Sequence, residues 1–170
     1  MDQSADRAVH RQQVADLYSA ERDGVYRSLI VVGLTRAKAE ESTQEAFLRL
    51  YAELRNGLTI ENRRAWVYRV AHNLGVDVLA SQARESNLSE AMIANIASNG
   101  RNVEDGLIED EGMENLRIAV KRLSKQQRLC LELRAEGLRY QDIAEVLQIR
   151  TSTVGEFLRR AIQHLRKSSQ

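Results

Sequence analysis

Few residues in this chain have the types and spacing needed for covalent chemistry. The three histidines, His10, His72 and His164, stand far apart, and Cys130 is the only cysteine. No histidine pair has ligand spacing, so no metal is expected. No nucleophile sits beside a base and no glycine-rich phosphate loop occurs, so neither catalysis, a cofactor nor a small-molecule substrate is expected. Cys130 lies inside "RLCLEL" and reads as a small buried apolar residue. What remains is ionic and hydrogen-bonding chemistry. It is densest near the C-terminal end, where "YQDIAEVLQIRTSTVGEFLRRAI" is followed by Arg166 and Lys167. Guanidinium and ammonium groups neutralise phosphates, and arginine also reaches guanine edges.

The elements that must position these groups are helices. The 170 residues include no proline and only nine glycines, with 43% hydrophobic and 29% charged residues. Ala, Leu, Glu, Arg and Gln are plentiful, and all favour helix. No apolar run approaches the roughly 20 residues of a membrane span. Met1 to Gln13 is polar with both charge signs and does not read as a signal peptide. No membrane insertion and a cytoplasmic location are the expectation. The net charge of +1 conceals an asymmetry. Residues 1–85 carry 12 basic and 12 acidic residues, residues 86–112 carry 1 and 6, and residues 113–170 carry 12 and 6. A basic C-terminal module thus follows an acidic connector, which favours nucleic acid as a partner over a merely solvated face.

Periodicity predicts a first helix over about Ala5–Val32, stopped by Gly33, and a second over Arg36–Arg55 capped by Thr35. Thr43, Phe47, Leu50 and Leu54 share one face of the second. A third helix over about 64–83 carries Trp66, Val70, Leu74 and Val78 at spacings of four, so Trp66 is assigned to the core and Tyr68 and Arg69 to the surface. Residues 86–112 read as a flexible linker, with a short helix after Ser89 carrying Met92, Ile93 and Ile96. Four further helices follow, one with a Ser124–Gln127 capping box. In the last, Val154, Phe157, Leu158, Ala161, Ile162 and Leu165 form the inner face. The expected fold is all-α, with two small helical domains, 1–85 and 113–170, joined by the linker. The C-terminal domain ends in a helix-turn-helix, whose second helix enters the major groove in that plan.

Three stretches carry a family resemblance. "LRIAVKRLSKQQRLCLELRAEGLRYQDIAEVLQIRTSTVGEFLRRAIQHLRK" resembles region 4, the −35-reading domain, of bacterial extracytoplasmic-function (ECF) sigma factors of the sigma-70 family. "AEESTQEAFLRLY" resembles the core-polymerase-binding helix of region 2, and "RRAWVYRVAHNLGVDVL" its promoter-melting helix. The resemblance implies an alternative sigma factor, not an enzyme, whose partners are core RNA polymerase (the β′ clamp and β flap), promoter DNA and an anti-sigma factor. It places Glu41, Gln44 and Glu45 on the polymerase. It assigns Asn56, Asn62, Arg63, Arg64, Tyr68, Arg69, Asn73 and Asp77 to the −10 element. It assigns Arg139, Arg150, Ser152, Thr153, Glu156, Arg159, Arg160 and Arg166 to the −35 element.

The chain departs from the family pattern in places. "VLASQARES" replaces a basic run after Asp77, Arg139 stands at a usual Ser/Thr cap, and Gln148 replaces a turn glycine. Gly155, Glu156 and Phe157 replace the last three residues of the usual Thr-Val-Lys-Ser-Arg recognition run, removing two positive charges and adding a negative one. Glu156 accepting from a cytosine amino group, with Gly155 allowing close approach, is preferred over a shift toward protein contact. Two rival readings stay open. One is a helix-turn-helix regulator acting without polymerase; the other is a helical interaction module that has lost DNA binding.

Overall fold

The computed structural model of the chain describes residues 3–89 and 111–168. Seven helices make up nearly all of it: α1 (Gln3–Val32), α2 (Arg36–Arg55), α3 (Arg63–Ser89), α4 (Glu111–Arg122), α5 (Lys125–Ala135), α6 (Tyr140–Leu147) and α7 (Thr151–Ser168). The all-α expectation holds, with α6 and α7 as the helix-turn-helix. The short helix expected around Met92, Ile93 and Ile96 lies outside the described residues. Residues 86–89, assigned to the linker, continue α3.

The helix ends follow from local chemistry. Gly33, at φ 116°, ends α1 in a left-handed turn. Its N–H donates to the Ile30 carbonyl at 3.0 Å, and the Leu34 N–H reaches the Leu29 carbonyl at 3.1 Å. This double bond pattern satisfies carbonyls that the helix end leaves open. Thr35 then caps α2 by accepting from the Lys38 N–H. Ser124 and Gln127 close the capping box of α5 at 3.2 and 3.0 Å. Gln148 takes the left-handed conformation (φ 54°) at the turn after α6. A long side chain thus does what glycine does elsewhere, at a steric cost that glycine lacks.

Helices α1, α2 and α3 pack as a bundle, and α2 buries Thr43, Phe47, Leu50 and Leu54 as its periodicity predicts. The α3 face is rotated from the expected stripe. Val67, Tyr68 and Ala71 are buried, whereas Trp66, Val70, Leu74 and Val78 are only partly so. The reason is that α3 is packed on two sides, against α1 and α2 and against α6. Tyr68, placed on the surface by spacing, is 1% exposed.

The C-terminal half packs α5, α6 and α4 against α7 around Leu129, Leu133, Ile143, Val154 and Leu158. This core is continuous with that of the first half, because α5 lies on α1 and α6 on α3. A cleft of about 280 Å³ remains between the halves, lined by Val32, His72, Val76 and Leu79 on one side and Lys125, Leu129, Leu147 and Ile149 on the other.

Candidate nucleic-acid interface

Helix α7, the second of the helix-turn-helix, turns Val154, Leu158 and Ala161 inward. Its other side exposes Ser152, Glu156, Arg159, Arg160, Arg166 and Lys167, with Thr153 half-buried. The turn is held by the Arg150 carbonyl, which accepts the N–H groups of Thr153 (3.0 Å) and Val154 (3.1 Å). Arg150 is itself exposed. Glu156 pairs with Arg160 one turn on. To accept from a cytosine, Glu156 would exchange that partner. Arg159, Arg166 and Lys167 make no ion pair among the described residues. Ile162, expected on the inner face, is 42% exposed. It borders a groove of about 480 Å³ with Tyr140, Gly155, Arg159, Gln163, Arg166 and Lys167.

Arg139 precedes α6 with no Ser/Thr hydroxyl to cap the helix. Asp142 replaces it from inside the first turn, accepting the Arg139 backbone N–H at 3.1 Å and its guanidinium Nε at 3.1 Å. Burial disfavours the Asp142 charge, but these hydrogen bonds outweigh it and hold the carboxyl below its usual range. The same carboxylate accepts from Asn62 Nδ2 at 3.0 Å, across the two halves.

The residues assigned to the −10 element divide into two groups. Asn56 is exposed, as are Asn73 and Asp77, which lie one turn apart on α3; Arg69 is half-buried. The others are engaged. Asn62 caps α3 by accepting the Ala65 N–H at 3.0 Å. Arg63 donates to Gln13 at 2.9 Å. Arg64 lies 2.7 Å from Glu21 and donates to the Glu136 carbonyl in the C-terminal half. Tyr68 is sealed in the core, its hydroxyl 3.2 Å from Glu21, and burial first, then Glu21, pushes its phenol well up. In this arrangement Tyr68 cannot touch DNA.

Two carboxylates that spacing did not single out close the contact between halves. Glu136 lies 2.5 Å and Glu132 3.4 Å from Arg27 on α1. Burial first, then the neighbouring Glu136, pushes the Glu132 carboxyl up despite Arg27. Their four-residue spacing on α5 is visible in the sequence, but nothing there points to Arg27.

On α2, Glu41 and Gln44 are exposed and Glu45 is half-buried, opposite the buried Phe47/Leu50 face. Glu41 pairs with Lys38 at 2.7 Å and Glu45 with Arg49 at 2.8 Å. Sequence reasoning missed Leu48, 63% exposed and one turn after Gln44. A leucine so placed on an otherwise amphipathic helix is a signal that could have been read.

Residues 113–165 match the family model "Sigma-70, region 4". The ECF RNA polymerase sigma factor BldN of Streptomyces coelicolor is 29% identical over 152 residues, covering 88% of this chain; the chain spans 57% of that relative's length. The ECF RNA polymerase sigma factor SigW of Bacillus subtilis is 25% identical over 162 residues, covering 90% of this chain and 87% of that one. Among solved structures, the sigma factor RpoE in complex with the anti-sigma factor NepR, from Bartonella quintana, has a similar fold. It gives a TM-score of 0.67 at 19% identity and covers 93% of this chain and 94% of that chain.

Proposed function

We propose that this chain belongs to the ECF branch of the sigma-70 family and is an alternative sigma factor that directs core RNA polymerase to a −35/−10 promoter, a reading that the region 4 match and the similar sigma factors support. The observation that carries the reading is the placement of Arg159, Arg166 and Lys167, exposed and without an ion pair among the described residues, on the second helix of the helix-turn-helix. Cations left without an acidic partner on this face are available to phosphate and base edges. In this reading the protein does no covalent chemistry. It works in the cytoplasm, and no described helix is long and apolar enough to cross a membrane.

Docking on polymerase uses Glu41, Gln44 and Glu45, with Leu48 as an apolar anchor, against the β′ clamp. The C-terminal half meets the β flap. Residues 1–85 and 113–170 act as separable units tethered by 86–112. The closed arrangement has a functional consequence. Asn62 and Arg64 cannot hold Asp142 and Glu136 while gripping an unpaired −10 strand. Polymerase binding must therefore part the halves, and an anti-sigma factor would act by keeping them together. The test is transcription by core polymerase with the purified chain, including an Arg159→Ala/Arg160→Ala variant. Loss of promoter-specific transcripts in the variant supports the reading, and unchanged transcripts would favour an interaction module. A tight operator complex formed without polymerase would favour a stand-alone regulator.

A further inference from the structure

The recognition helix lacks a side chain where its first exposed turn would meet the DNA. At Gly155 an added Cβ would lie 3.7 Å from Cε2 and 4.0 Å from Cδ2 of Tyr140. The tyrosine ring, at the start of α6, therefore rests over the glycine, occupying space that a longer side chain would claim. It is 42% exposed, and the Arg134 guanidinium stands 5.8 Å from its centroid, steadying its back. Arg159 lies one turn further along the same groove, free of ion pairs, and Ile162 gives a second apolar edge.

We infer that Tyr140 is a specificity-determining residue of promoter reading, its ring edge packing against the C5-methyl of a thymine in the −35 element. The inference rests on the sigma-factor reading above. In the major groove only thymine offers an apolar knob beside acceptor-rich edges. A groove with an exposed ring, an exposed isoleucine and three unpaired cations complements a methyl flanked by phosphates. The spacing of Arg159 and Arg166, two helical turns apart or about 10 Å, suits a phosphodiester track better than a short acidic peptide.

The test uses holoenzyme on its selected promoter, with each −35 thymine replaced in turn by deoxyuridine, which removes only the methyl. Wild type should lose about fourfold in promoter affinity at one position, the scale of one buried methyl group. Tyr140→Ala should abolish that dependence while leaving the penalties at other positions. Tyr140→Phe should restore it, and Gly155→Lys, which covers the ring without removing it, should abolish it again. The inference is overturned if no thymine is methyl-sensitive, or if Tyr140→Ala weakens all sites equally, as a phosphate contact would. It is equally overturned if Tyr140→Ala impairs only anti-sigma binding. Absence of any promoter-specific transcript with wild type would instead sink the sigma-factor reading, so the two failures are distinct.

Discussion

Replacing Arg27 by Ala should loosen the two halves without unfolding either. Arg27 is the cation that α1 offers to α5, with Nη2 2.5 Å from Glu136 and Nε 3.4 Å from Glu132. Its side chain is 53% exposed, whereas those of Glu136 and Glu132 are 18% and 24% exposed. An exposed pair is worth about 0.2–1 kcal/mol, and the sheltered carboxylates put this one near the top of that range. Without Arg27 the two carboxylates face each other one turn apart, adding a few tenths of a kcal/mol of repulsion, on the order of 0.3. The total, about 1 to 1.4 kcal/mol, corresponds to a roughly 5- to 10-fold rise in the opening constant. Apolar packing of α5 on α1 and of α6 on α3 is untouched, so the closed form should persist as a reduced population. Single-molecule energy transfer between dyes on Ala52→Cys and Lys121→Cys reads that population. Both sites are exposed, whereas the native Cys130 is buried, and burial pushes its thiol up to about 11. High salt should partly mimic the substitution in wild type. Equal closed populations in wild type and Arg27→Ala, at low and high salt, would refute the assignment of this cluster as a latch.

Other consequences can be checked separately. Gln44→Ala and Leu48→Ala should each weaken core polymerase binding several-fold, roughly 1 kcal/mol, with duplex DNA affinity unchanged; wild-type core affinity in both would contradict the α2 docking face. His72 lines the cleft, and burial first, then Lys125, lowers its pKa from the ordinary 6.5. The closed form favours its neutral state, so its contribution to closure should be complete above pH 6.5 and be lost as pH falls from there through the lowered value of the closed form. His72→Gln should flatten the pH 5–7 limb of the energy-transfer titration, and an unaltered limb would exclude His72 as its source. Leu158→Ala empties a site that is 2% exposed between α7 and its neighbours and should cost about 2–5 kcal/mol in denaturant melts; a loss under about 1 kcal/mol would show that the C-terminal core collapses around the gap.

Local signals survived into the structure wherever one element decided the outcome. The bounds of α2, the Gly33 stop and the Ser124–Gln127 box depend on neighbours within four or five residues, and all appear where periodicity and capping chemistry put them. The errors arise where a second packing partner intervenes. Four-residue spacing gave α3 a single buried stripe through Trp66, but packing against α1 and the end of α5, where Glu21 and Glu136 stand beside its ring, drew Tyr68 inward. Ile162 fits the inner periodicity of α7, yet it lies on the edge of the open groove between α7 and Tyr140 rather than in the core. The cluster of Arg27, Glu132 and Glu136 joins residues more than 100 positions apart, and no local pattern encodes such a meeting. Asp142 was legible only as a first-turn acid; its hydrogen bond to Asn62 depends on the same long-range packing.

Transcription from a randomised promoter library, with purified core polymerase and this chain as the sole sigma factor, should select one −35/−10 pair at fixed spacing. Selection should collapse when Arg159 and Arg160 are both alanine. Transcripts that share no upstream sequence, or a chain that never associates with core polymerase, would contradict the sigma-factor reading outright.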